Sequence, residues 1–239
     1  MAEQFLKNHD LEVSSRPTLL GQQRLSCNGL DIRFSPYNEY WREIRKISAI
    51  HLFSLKRVSS FSSKQHSLSF DLTYNHIKAV VMDLFLVGTS TGAATVIWAM
   101  AELVKNPRTM NKAQADGRNW CGKKGFVEED DIHKLSYLNA VIKNKFRTHP
   151  VGPLLYQEKQ LKLLLQRVTR FKTRHWCYRI CLGLSISVAN VEIILANLLY
   201  KFDWEMPTGM KNEDIDTEMS PGLTQHKKNP LYLVAKNYE

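Results

Sequence analysis

Residues 174–183 read RHWCYRICLG, and the run LSISVANVEIILANLLY fills residues 184–200. Together they place a cysteine, Cys181, just before an apolar helix. Leu184, Val188, Val191, Leu195 and Leu198 recur at helical spacing and form one stripe over about 183–200. Arg174, His175 and Arg179 flank the sulfur. A helix N-terminus and nearby cations both favour the thiolate, the form that binds metal. Gly183 allows the backbone to turn tightly beside it. An isolated cysteine is more often a buried structural residue, so the company Cys181 keeps decides its reading.

Working outward, residues 84–101 (LFLVGTSTGAATVIWAMA) carry no charge and lie in a long helix expected over about 76–104, stopped by Asn106-Pro107. This run and residues 180–200 have the bare length of a membrane span. Gly88, Gly92 and several hydroxyl residues dilute the first, and Asn190, Glu192 and Asn197 interrupt the second, so both read as buried core helices. Residues 2–9 predict a short helix, and Ser35-Pro36 opens a longer one to about residue 52. Residues 54–70, rich in Ser and Lys, read as a junction. Residues 107–119 predict another helix, followed by a turn from Gly122 to Gly125. The EEDD run at 128–131 is expected to cap the next helix, which runs to about Thr148 before Pro150. Residues 158–179 are basic with leucines at helical spacing, and LYLVA at 231–235 is a short-strand candidate. The chain is mainly α with little strand.

Composition bounds the function only loosely. An apolar content of 44% is ordinary for a globular chain and excludes a wholly disordered or fibrous one. A formal charge of +10 favours acidic partners, membrane surfaces or nucleic acid without choosing among them. The polar start MAEQFLKNHD lacks the apolar core of a signal peptide, and the four cysteines form no paired framework. A reducing, cytosol-facing location with free thiols is the resulting expectation.

Four blocks in fixed order carry a resemblance. They are YNEYWREIRK at 37–46, VGTSTG at 87–92, HKLSYLNAVIKNKFRTHP at 133–150, and RxCxG at 179–183 followed by ANLLYKFDWEMP at 196–207. They resemble the WxxxR helix, oxygen-binding segment, ExxR helix and haem loop of plant microsomal cytochromes P-450. The implied fold is a remnant of the cytochrome P-450 fold with a long central helix and little strand. The chain reads as one incomplete domain over 1–239, with the WxxxR region at 1–60, the oxygen-binding and ExxR-like helices at 71–157, and the haem loop and C-terminal helix at 174–239. The matched blocks cover about four-fifths of the chain.

The resemblance implies a haem-thiolate monooxygenase that inserts one oxygen atom from O2 into a small apolar substrate. Haem is held through Cys181 with Arg179 and Gly183 in its loop, and the axial thiolate pushes electron density to iron and favours O–O cleavage. Trp41 and Arg45, four apart on one helical face, contact a haem propionate. Gly88, Ser90 and Thr91 lie over the distal face, where a local helix distortion admits oxygen and water. NADPH acts only indirectly, through a flavoprotein reductase, and the basic surface suits such an acidic partner. The family location is the cytosolic face of the endoplasmic reticulum. Without the family's anchor helix, weak membrane association and a cytoplasmic location are expected, and no nucleic acid partner.

The chain also departs from the pattern. Ser90 stands where an acid usually precedes Thr91, which should slow or uncouple oxygen activation. Asn144 replaces the ExxR glutamate while Arg147 remains; a buried arginine without its charge partner costs about 3–5 kcal/mol, so the chain is expected either to expose Arg147 or to stay loosely packed. Arg174 replaces the loop's usual Phe and Cys177 its first Gly. The pocket-forming helices expected near 63–70, and the strands and meander expected over 157–174, are missing, which marks a truncated or internally deleted member. Two other function classes stay open: an inactive haem-binding or partner-binding fragment, and a basic helical module binding RNA or membrane through 159–179.

Overall fold

The computed structural model describes residues 20–52, 70–122, 124–148, 151, 181–222 and 224–238. The expected helix at 2–9, nearly all of the junction at 54–70, the basic stretch 158–179, and Arg174, Cys177 and Arg179 lie outside these residues. By internal packing the chain divides into two compact units. One comprises Met1–Thr89 and Pro153–Ile186, the other Ser90–Gly152 and Ser187–Glu239.

In the first unit a short helix α1, Leu20–Leu25, ends in a left-handed turn at Cys27, Asn28 and Gly29. Ser26 Oγ accepts the Gly29 N–H at 2.9 Å and holds the turn closed. Helix α2, Glu39–His51, starts three residues later than Ser35-Pro36 suggested. The physical reason is its cap: Asn38 Oδ1 accepts the Trp41 N–H at 2.8 Å, satisfying an amide that the first turn leaves free. Trp41, Ile44 and Ser48 form its buried face, spaced as a helix requires. The long helix α3, Tyr74–Lys105, gives its first half to this unit.

The second unit takes the other half of α3, where Ala94, Trp98, Ala99, Met100, Ala101, Leu103 and Val104 are buried. Asn106 leaves helical geometry, and Pro107 opens α4, Pro107–Cys121, at a position where its missing N–H costs nothing. Met110, Ala113, Gln114, Gly117 and Cys121 line the inner face of α4. Gly122 and Gly125, at φ 51° and 82°, make the expected turn. A 3-10 turn over Glu129–Lys134 precedes α5, Ser136–Thr148. Helix α6, Leu184–Lys201, passes directly into β1, Phe202–Glu205. This strand pairs antiparallel with β2, Val234–Asn237, in the register Phe202↔Asn237 to Glu205↔Val234. The tail strand is therefore real, displaced toward the C-terminus from LYLVA. Leu103, Leu135, Leu138, Leu195 and Leu199 meet in one sealed core.

Two expectations change. The EEDD run does not cap α5. Its members sit in and beside the preceding 3-10 turn, and buried Asp131 instead gathers Lys124 at 3.3 Å and Lys134 at 3.0 Å. Those hydrogen-bonded ammonium groups, Lys134 first, hold the Asp131 carboxyl below its usual range. The cap comes from α4, where Asp116 Oδ2 accepts the N–H groups of Tyr137 at 3.1 Å and Leu138 at 3.3 Å. The second change concerns the two apolar helices, α3 and α6, both long and apolar enough by length and composition to cross a membrane. The core role holds for Ala94–Val104 and for one face of α6, but Tyr74, Ile77, Val81 and Phe85 are exposed on the first half of α3.

Candidate functional site

Trp41 and Arg45 do share one face of α2. The Trp41 ring is 7% exposed, and its Nε1–H donates to the Ile32 carbonyl at 2.8 Å. The Arg45 guanidinium lies 5.1 Å from the Trp41 ring centroid, a cation–π distance. The indole thus fixes the stem of an arginine that is itself only half-buried.

The loop before α2 is tied to α3 by carboxylates that spacing alone did not single out. Asp83 Oδ2 accepts the N–H groups of Ile32 and Arg33, each at 3.0 Å, and Asp31 Oδ1 accepts that of Phe34 at 3.0 Å. Burial, with the Asp83 charge added, pushes the Asp31 carboxyl up to about 7. Burial raises Asp83 as well. Tyr40, whose hydroxyl donates to the Leu30 carbonyl at 2.5 Å, is pushed up to about 12 by burial and by Asp31. The available signal was Asp83 itself, a lone carboxylate inside the apolar run AVVMDLFLV.

The VGTSTG segment sits on a helix that is α throughout Tyr74–Lys105, so the expected distortion at Gly88 and Thr91 is absent. A Cβ added at Gly88 would meet open space, so no close neighbour forces the backbone out of line there. Hydroxyls bond back along the helix: Thr89 Oγ1 to the Phe85 carbonyl, and Thr95 Oγ1 to the Thr91 carbonyl at 2.8 Å. Ser90 instead reaches across to the tail, with its Oγ 3.2 Å from His226 Nε2. His226 lies 136 residues away, and no local pattern marks it.

Cys181 is exposed, and its carbonyl accepts the Leu184 N–H at 3.2 Å, which opens the first turn of α6. Gly183 lies in that turn. Cys27, Cys121 and Cys181 are free thiols, and Cys121 is buried. An accessible sulfur beside a helix N-terminus is chemically suited to ligate a haem iron. Cavities of 680 Å³ and 290 Å³ lie in the second unit, around Arg118, Tyr200 and Tyr238, and neither is lined by a candidate residue.

Arg147 takes the exposed course that the loss of its charge partner left open. It is exposed, and its Nη2 donates to Asn144 Oδ1 at 2.9 Å. The buried cation on this helix is Lys145, 3% exposed, with its Nζ 3.2 Å from Glu102 Oε2. Desolvation lowers its pKa even though Glu102 opposes that shift. Asn144→Glu should therefore add only a surface ion pair, at most about 1 kcal/mol. A thermal melt should show a rise of no more than about 4 °C, and a larger one would return Arg147 to the core.

Comparison with known proteins covers all these segments. The family profile described as Cytochrome P450 matches residues 58–164, a span containing Gly88, Ser90, Thr91, Asn144 and Arg147 but not Trp41 or Cys181. Cytochrome P450 71A1 of Persea americana is 27% identical over 418 aligned positions, covering 100% of this chain and 83% of the relative. Since the chain has 239 residues, well over a third of those positions face no residue here. Cytochrome P450 76C2 of Arabidopsis thaliana is 38% identical over 209 positions, covering 69% of this chain and 41% of the relative. Among solved structures, a zebra fish cytochrome P450 with abiraterone superposes at a TM-score of 0.76. It is 14% identical, over 99% of this chain and 91% of its own, and that likeness is one of fold.

Proposed function

Because the chain belongs to the cytochrome P450 family, a family of haem-thiolate monooxygenases, we propose that it binds haem through Cys181 and inserts one oxygen atom from O2 into a small apolar substrate. The observation that carries this reading is the exposed free thiol of Cys181 immediately before α6. When bound, the haem supplies oxygen activation, which a thiolate ligand assists by donating electron density.

The chain's own residues bind and orient. Arg45, steadied by the Trp41 ring, offers a planar guanidinium for a propionate. The exposed turn of α3 at Gly88 leaves room beside the helix for a small molecule. Electrons come from NADPH through a flavoprotein reductase, at the cytosolic face of the endoplasmic reticulum. The net charge of +10 aids encounter with an acidic docking face.

The test is an absorption spectrum of the chain produced with haem precursor. Cys181→Ala should abolish the red-shifted ferrous–carbonyl band, and Cys177→Ala should leave it. An unchanged band in the Cys181 variant overturns the assignment. The many relative positions with no counterpart here favour a second reading, a haem-binding chain without turnover. NADPH oxidation in the presence of reductase separates the two.

A further inference from the structure

Ser90 stands where the family pattern has an acid, and a serine hydroxyl alone holds no proton that it can release near neutral pH. Its partner does. Ser90 Oγ lies 3.2 Å from His226 Nε2, and imidazole is the side chain suited to taking up and releasing protons in that range. The contact is built into the second unit. Trp98 Nε1–H, on the same helix, donates to the Gln225 carbonyl at 3.0 Å. Gln225 N–H donates to the Val151 carbonyl at 2.8 Å, and Ser220 N–H to the His226 carbonyl at 2.9 Å. The tail segment is thus pinned across α3, with the imidazole over position 90. The neighbouring Lys227 and Lys228 are held by Asp216 and Glu218 at 2.5 and 2.6 Å.

We propose that His226 takes over the proton-holding role of the missing acid and that Ser90 passes the proton on, next to Thr91. The proposal rests on the monooxygenase reading above. Inserting one oxygen atom of O2 consumes two electrons and two protons and releases the other atom as water. The reductase supplies the electrons, and the relay supplies the protons. In each transfer a proton leaves His226 Nε2 for Ser90 Oγ while the hydroxyl's own hydrogen moves on toward the oxygen. Serine stays neutral and imidazolium becomes imidazole. Half-buried His226 then takes a fresh proton from water. It is a positioning and proton-holding residue that acts through Ser90.

Two measurements test it. In the full chain without haem, nitrogen NMR should show the His226 Nε2 signal moving on Ser90→Ala, because the hydroxyl partner is removed. An unmoved signal overturns the pairing. In the haem-loaded chain with reductase and NADPH but no added substrate, the readout is peroxide formed per NADPH oxidised. His226→Gln, which keeps a hydrogen-bonding group but holds no transferable proton, should raise that share several-fold. Ser90→Asp with His226→Gln should bring it back to the parent level, because the aspartate makes His226 dispensable. That rescue is one a misfolded chain cannot show. Equal peroxide shares in parent and His226→Gln, or no rescue by Ser90→Asp, overturn the relay alone. A parent chain with no thiolate band overturns the functional reading and the relay together.

Discussion

Asp31→Asn should make the chain more stable above pH 7 and flatten its stability between about pH 4 and 7. The folded-state pKa of Asp31 is raised from 3.8 to about 7, so in that window the folded chain keeps a proton that the unfolded chain has released. Stability contributed by the protonated form is therefore complete at low pH and is lost as pH rises through the window. Burial drives the effect, and the charge of Asp83, the α3 carboxylate that binds the same turn, adds to it. Asparagine is neutral at every pH. It can still accept the Phe34 N–H through its oxygen, as Asp31 does now. Each tenfold change in proton affinity is worth about 1.4 kcal/mol. Discounted for the water that still reaches the pair, the gain at pH 8 is roughly 2–3 kcal/mol. Denaturant unfolding of parent and variant at pH 5 and pH 8 measures it. A pH slope that the substitution leaves intact would contradict the carboxylate pair.

Leu195→Ala should cost about 3 kcal/mol, through lost burial and the cavity left behind. Leu195 is fully buried on α6, in the cluster that also holds Leu103, Leu138 and Leu199. Four elements, α3, α4, α5 and α6, send side chains into that cluster, so no single one can move in to refill the space. The midpoint of thermal unfolding should fall by about 6–12 °C for a chain of this size. Leu184→Ala, on the same helix but exposed, should move it little. Equal effects at the two positions would show that the core of the second unit is not packed as described.

What was legible in the sequence was local. The uncharged run at 84–101 and the Asn106-Pro107 stop predicted α3 almost to the residue, because helix spacing and a proline clash act within a few positions. The stripe from Leu184 to Leu198 predicted α6 in the same way, and the four motif blocks carried the resemblance to cytochromes P450. Features set by distant partners were not legible. The α5 cap is Asp116, over twenty residues upstream, so the acidic run nearest the helix was the wrong choice. Asp83 binds amides 51 and 50 residues away, and Ser90 meets His226 across 136. The loss of the ExxR glutamate left open whether Arg147 is exposed, and it turns outward to Asn144; that Lys145 is the buried cation, paired with Glu102 on another helix, was not legible.

A haem-thiolate centre held by Cys181 is what we propose for this chain. One measurement tests it most directly: the difference spectrum of the full chain, produced with haem precursor, reduced and exposed to carbon monoxide. The expected result is the red-shifted band of a thiolate-ligated haem, with the exposed sulfur of Cys181 as ligand. A chain that takes up no haem, or whose band lies where a nitrogen-ligated haem absorbs, would contradict it.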